Sequence, residues 1–213
     1  KGSVAVIFQP AEEGGAGGRA MVEDGMMERF GIERVFGMHN MPGLPVGSFA
    51  IRPGPIMAAT AEFDIIVKGR GGHAAQPHQT IDPIVTSAAM ITALQTIAAR
   101  STDPIESVVV SVTKIHAGDA HNIIPESVHF AGTIRTLKKE VAENAYRRLR
   151  EICEGVAAAH GASVDVKLDV NYPVTYNHVD DTDFAIGVAQ GVAGEPNVLT
   201  NVPPVMGGED FSY

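Results

Sequence analysis

The stretch from Ala61 to Val170 constrains the fold most, because its apolar residues recur at strand spacing and at helix spacing in one fixed order. "AEFDIIVKG" sets Phe63, Ile65 and Val67 on one face and Glu62, Asp64 and Lys68 on the other, the alternation of a strand open to water on one side. A helix is expected from about Asp82, with Pro83 near its first position and Ile84, Ala88, Ile91, Leu94 and Ala98 at helical spacing. "SVVVSVTKI" and "ESVHFAGTIRT" read as β-branched strands joined by "HAGDAHNIIP". The second of them puts Val128, Phe130 and Ile134 on one face and Arg135 on the other. A long helix carries Val141, Ala145, Leu149, Ile152, Val156 and Ala159 on one stripe and ends near Gly161, after which "SVDVKLDV" alternates again. The order βαββαβ predicts a ferredoxin-like unit, a four-stranded antiparallel sheet with both helices on one face.

The flanks follow a different rule. Residues 1–58 read as a strand (Ser3 to Phe8), a glycine-rich turn, a helix (about Gly18 to Arg29) and a second strand (Arg34 to Met38) leading to "HNMPGLPVG". After "NYPVTYN" comes a helix, about Asp181 to Val192, and a short apolar run from Asn197 to Val202. The expected topology is an α/β domain made of 1–58 and 172–213, interrupted by an inserted βαββαβ domain at 59–171. The opening "KGSVAVIF" is already a buried-type strand and "GGEDFSY" carries no cap of its own, so both ends read as cut and the chain as a fragment.

Charge and composition narrow the partners. Sixteen Lys and Arg against 25 Asp and Glu give a net charge of −9, the wrong sign for a surface that tracks phosphates, and no nucleic-acid partner is expected. The single cysteine, Cys153, excludes an internal disulfide and falls beside the apolar stripe of the long helix, as a core residue would. No 18-residue apolar run or export signal is present, so no membrane partner is expected and the chain reads as cytoplasmic.

The chemistry concentrates in a few strings. "GAGGRA", residues 15–20, satisfies a dinucleotide-binding pattern, but Glu12 and Glu13 immediately before it would repel a pyrophosphate. The bland reading is that these glycines only let the chain turn tightly into its helix. The adjacent acids make sense beside a cation, where one carboxylate can ligate a divalent metal while the other takes a proton from water on it; a solvated turn is the alternative. His39 stands at the end of the second expected strand, and neighbouring parallel strands bring their carboxyl ends to one rim, so Glu13 and His39 are expected neighbours. Carboxylate and neutral imidazole suit zinc, manganese or cobalt. In "GRGGHAAQPH" the glycines leave the backbone around His73 open to close approach, whereas His78 reads as structural. Asn122 of "HNIIP" offers an amide and Arg135 a forked cation for a carboxylate, although each has an ordinary structural use as well.

Taken together, "FQPAEEGGAGG", "GMHNMPGLPVG", "GRGGHAAQPH", "NIIP", "GTIRT" and "MGGEDFSY" give a chain that resembles the dinuclear-metal aminoacylase and carboxypeptidase family over essentially its whole length. The similarity is to its amidohydrolase branch of hippurate hydrolases and N-acyl-amino-acid amidohydrolases. The resemblance implies an α/β metallohydrolase domain with an inserted lid or dimerisation domain, two divalent metal ions in the intact protein, and an N-acyl amino acid as substrate. It further implies Glu12 as general base, Glu13 and His39 as metal ligands, and His73 as the group that polarises the scissile carbonyl. Asn122, Arg135 and Gly208 fall at substrate-binding positions, with Arg135 the clamp on a free carboxylate. A His/Cys-type metal motif before the first residue and a last histidine ligand after "GGEDFSY" are expected in the family, as is a homodimer through the inserted domain. For Glu209 and Asp210 the strings supply no physical role. The rival reading is a non-catalytic dimerisation or small-ligand-binding module.

Overall fold

The computed structural model describes residues 2–213. The chain divides into two compact units, one made of the residues up to Ala59 with Asn171–Tyr213, the other of Thr60–Val170. In chain order the first stretch holds helices α1 (Gly17–Glu23) and α2 (Met26–Phe30) and strands β1 (Phe49–Ala50) and β2 (Gly54–Met57). The second unit follows with β3 (Ala59–Lys68), β4 (Gly72–His73), α3 (Pro83–Leu94), α4 (Thr96–Arg100), β5 (Val108–Ala117), β6 (Ile123–Ile124), β7 (Ser127–Thr136), α5 (Lys139–Ala159) and β8 (Ser163–Val170). The chain then returns to the first unit with β9 (Thr175–Asn177), α6 (Val179–Ala193) and β10 (Val198–Leu199).

In the Thr60–Val170 unit the strands order as β5-β7-β3-β8, and the β5–β7 and β3–β8 pairings are antiparallel. The alternation read from the sequence is what buries its core. Phe63, Ile65 and Val67 of β3 and Phe130 and Ile134 of β7 pack against Met90 and Leu94 of α3 and Ala145, Leu149 and Cys153 of α5. Each large apolar side chain buried this way contributes roughly 1.5–3 kcal/mol. Arg135 lies between the buried Ile134 and Thr136 and is only half-buried. Helix α3 starts where it does because the Asp82 carboxylate accepts the amides of Ile84 (2.8 Å) and Val85 (3.3 Å) and Pro83 needs no partner at the first position.

In the other unit every ladder among the described residues joins its leading stretch to its trailing stretch: β1 pairs parallel with β10, and β2 pairs antiparallel with β9. The strands expected at Ser3–Phe8 and Arg34–Met38 are corrected here. Neither segment belongs to a ladder among the described residues, and Val4 and Phe8 stay 93% and 88% exposed. Apolar character alone does not make a strand, because its amides and carbonyls need a second backbone within reach. The helix expected from Gly18 to Arg29 is likewise two short helices, broken where Gly25 takes φ 78.

One glycine in the sheet is sterically obligatory. Where the β5–β7 register shifts between Val112 and Lys114, a Cβ on Gly132 would come within 1.9 Å of the Ser111 carbonyl oxygen and 2.5 Å of Phe63 Cζ. Gly132→Ala is expected to destabilise the protein by about 3 kcal/mol or more, lowering the midpoint in a thermal or urea melt.

Candidate active site

The acidic turn is held in a conformation that costs energy. Residues 12–15 form a turn in which Gly14 N–H bonds the Glu12 carbonyl (2.7 Å) and Gly15 N–H bonds that of Ala11 (2.9 Å). Ala11 (φ 55) and Ala16 (φ 48), on either side of it, both sit in the left-handed region. Each such alanine costs roughly 1–2 kcal/mol. The glycines beyond serve close packing, because a Cβ on Gly17 would lie 1.7 Å from the Pro10 carbonyl oxygen and one on Gly18 lies 2.7 Å from that of Asp210. The Gly18 amide is already taken by the Asp210 carboxylate at 2.8 Å. These glycines therefore do the steric work of the bland reading, and the dinucleotide pattern has no free amide at that position to offer.

The trailing stretch supplies two acids for which the sequence offered no role. Asp210 is completely buried and accepts hydrogen bonds from Gln9 Nε2 and the Gly18 amide, so it ties the segment before the turn to the helix after it. Glu209 reaches His39, with Nδ1 to Oε2 at 2.6 Å, while its other oxygen accepts the Phe211 amide at 3.2 Å. A histidine that gives Nδ1–H to a carboxylate keeps the lone pair of Nε2 for another partner. Glu12 is partly buried, and its carboxyl is pushed above the ordinary range, first by desolvation and then by the charges of Glu209, Glu13 and Asp210, with His39 opposing.

In the other unit the structure brings His73 and Asn122 together. The β4–β6 ladder sets His73 against Ile123, and the Ala74 amide donates to the Asn122 carbonyl at 2.9 Å. The Ala75 amide donates to His73 Nδ1 at 3.1 Å, so the neutral ring carries its proton on Nε2. The glycines before His73 do not leave open space: Cβ atoms on Gly71 and Gly72 would come within 2.8 Å of the Ile124 carbonyl oxygen and of Thr80 Cγ2, respectively. Arg135 is not part of this ladder; it stands on β7, where its Nε donates to Thr133 Oγ1 at 3.0 Å. Gly208 directly precedes Glu209, and the neighbouring Gly207 carbonyl accepts the Ala58 amide at 2.8 Å. Cys153 is buried and its thiol is pushed up to about 12 by desolvation, the opposite of an activated nucleophile.

Whether these residues fit a divalent ion turns on donor chemistry and number. Glu13 with a carboxylate and His39 with a free Nε2 suit a borderline ion, and the repulsion around Glu12 is what a cation would relieve. Among the described residues, however, no group of three or more His, Cys, Asp or Glu side chains is placed to hold a metal ion. No helix among them is long and apolar enough to cross a membrane.

Comparison with known proteins agrees with the motif order. The model of peptidase family M20/M25/M40 matches residues 1–213, and the chain belongs to this family. It is 40% identical over 212 residues to a hippurate hydrolase of Campylobacter jejuni, covering 100% of this chain and 55% of that protein. To an N-acetylcysteine deacetylase of Bacillus subtilis it is 38% identical, covering 100% of this chain and 54% of the relative. The crystal structure of a dinuclear metal binding peptidase of the M20 family from Bacillus subtilis superposes with a TM-score of 0.76 at 34% identity, covering 96% of this chain and 50% of that one. The chain thus spans about half the length of the relatives it matches.

The acid cluster has a measurable consequence. Since Glu12 titrates above its unfolded value, its contribution to stability is present at low pH and is lost as pH rises through the folded pKa. Glu209→Gln removes one of the raising charges and is expected to move the Glu12 titration downward, read from its carboxyl carbon by NMR in metal-free protein; an unchanged midpoint would contradict this account.

Proposed function

We propose that the full protein is a metal-dependent amidohydrolase that cleaves N-acyl amino acids of the hippurate type into a carboxylate and a free amino acid. The observation that carries this reading is the pairing of His39 Nδ1 with Glu209 beside the elevated carboxyl of Glu12, in a chain of the M20 family. In this reading Glu13 and the Nε2 of His39 are two of the ligands of a divalent centre of zinc, manganese or cobalt. The remaining ligands come from the part of the relatives' length that this chain does not span. Bound there, such an ion supplies Lewis acidity and makes water a better nucleophile near neutral pH.

The residues of this chain then divide the work. Glu12 takes the proton of the attacking water and passes it to the leaving nitrogen, a task for which a carboxyl raised above its usual range is suited. His73, with its proton on Nε2, donates to the oxyanion, and Asn122 and Gly208 line the substrate. Arg135 clamps the free carboxylate of the amino acid through its guanidinium fork. The substrate is a small molecule met in the cytoplasm. The protein pairs as a homodimer through the Thr60–Val170 unit, where β5 lies at the sheet edge with a strand on one side only.

Two variants of the full-length gene product test this with hippurate. Glu12→Gln is expected to lower kcat by about 10²–10⁴-fold while leaving metal affinity by calorimetry within a few-fold; near-normal turnover overturns the assignment. Arg135→Ala is expected to cost about 10–100-fold in kcat/KM on hippurate but much less on its amidated analogue, since a charge-assisted bond contributes about 1.5–3 kcal/mol. Equal losses on both substrates would remove the clamp role.

A further inference from the structure

Tyr172 was no more than a boundary marker in the sequence, yet its hydroxyl ends on the acidic turn some 160 positions earlier in the chain. The ring is buried, 8% exposed, and packs edge-on against Tyr213 with centroids 6.3 Å apart. Its oxygen accepts the Gly14 amide at 2.9 Å and donates its own proton to the Glu12 carbonyl. Those two peptide groups flank Glu13, so one hydroxyl grips the backbone on both sides of that residue.

The grip has something to oppose. The turn lies between two alanines in the left-handed region, and Gly14 itself takes φ 94. Glu13, Gly14 and Gly15 are exposed, so burial of their own side chains does not fix them. An exposed turn in a costly conformation relaxes unless the surrounding structure over-determines it. Asp210 holds the chain before and after the turn, through Gln9 and Gly18, but makes no contact that would fix the peptide planes at Glu13.

We propose that Tyr172 is a positioning residue for the acidic pair, setting through its hydroxyl the peptide planes from which Glu12 and Glu13 project. This deepens the functional reading above and rests on it. Its two hydrogen bonds to the turn are both to backbone, so the effect of the hydroxyl on turnover is expected to pass through the geometry of the two carboxylates. Misplacing reacting groups by about 1 Å can cost on the order of 10²-fold in rate, and the positioning role assigns the hydroxyl no hold on the substrate.

The test uses Tyr172→Phe in the full-length gene product, a change that keeps the ring and its packing on Tyr213. Steady-state kinetics on hippurate are expected to show kcat reduced about 10–100-fold with KM within about twofold. Hydrogen exchange of the peptide covering residues 9–17 is expected to accelerate about 5–30-fold, the loss of the hydroxyl's two hydrogen bonds to the turn, with exchange in the Thr60–Val170 unit unchanged. A kcat within twofold of the parent overturns the proposal, and so does a fall in kcat with unaltered exchange at 9–17, because the hydroxyl would then act elsewhere. Glu12→Gln run alongside separates the two ideas. If that variant keeps its turnover, the hydrolase reading fails, and the exchange result alone decides whether Tyr172 holds the turn. If it loses turnover while Tyr172→Phe does not, the positioning role fails and the hydrolase reading stands.

Discussion

The constraint on which the candidate site depends is electrostatic: four carboxylates, those of Glu12, Glu13, Glu209 and Asp210, gather near one turn. Like charges at such range are tolerated only where hydrogen bonds or opposite charge offset them. The structure answers for Asp210 with two donors in a dry setting and for Glu209 with an imidazole and an amide. For Glu12 the answer is incomplete, and desolvation first and the neighbouring acids second hold its carboxyl above the ordinary range. A buried carboxylate with satisfied lone pairs organises backbone, while one left raised is available for proton transfer.

That arrangement exists because the trailing stretch returns to the leading one. The two ladders of the unit among the described residues, β1 with β10 and β2 with β9, are short, and two or three paired positions give little stability by themselves. The longer-range ties are side chain to backbone, from Tyr172 to the Glu12–Gly14 turn, from Asp210 to Gly18 and from Arg52 Nη1 to the Val202 carbonyl at 3.2 Å. The Thr60–Val170 unit has the opposite character. Its four-stranded sheet and two main helices bury a continuous apolar cluster, and its charged residues lie on exposed faces where pairs such as Arg147–Glu151 contribute little.

The contrast explains what could be read in advance. In the Thr60–Val170 unit the ends of β3, β5, β7, α5 and β8 fall within a few residues of where alternation and helical spacing put them, because one-sided burial imprints its period on the sequence. In the other unit Ser3–Phe8 and Arg34–Met38 have strand-like composition and no ladder, since composition cannot name a pairing partner. Of the site, Glu12, Glu13 and His39 stood out by residue type and spacing, whereas the roles of Glu209 and Asp210 did not. A carboxylate that accepts one amide and one imidazole looks in sequence like any solvated acid. Tyr172 gave no signal at all, because a hydroxyl bound to backbone places no demand on the side chains of its partners.

The sequence by itself determined the order of elements from residue 61 to 170, the acidic character of the turn, and membership of the M20 family through its linked motifs. Only the tertiary structure decided which nitrogen of His39 is occupied and which distant residues hold Glu12 and Glu13 in place. The physical reason is range. Periodicity and residue type report on the few neighbours within a turn or a strand, while hydrogen bonds between residues 160 to 200 positions apart come into being only when the chain has closed on itself.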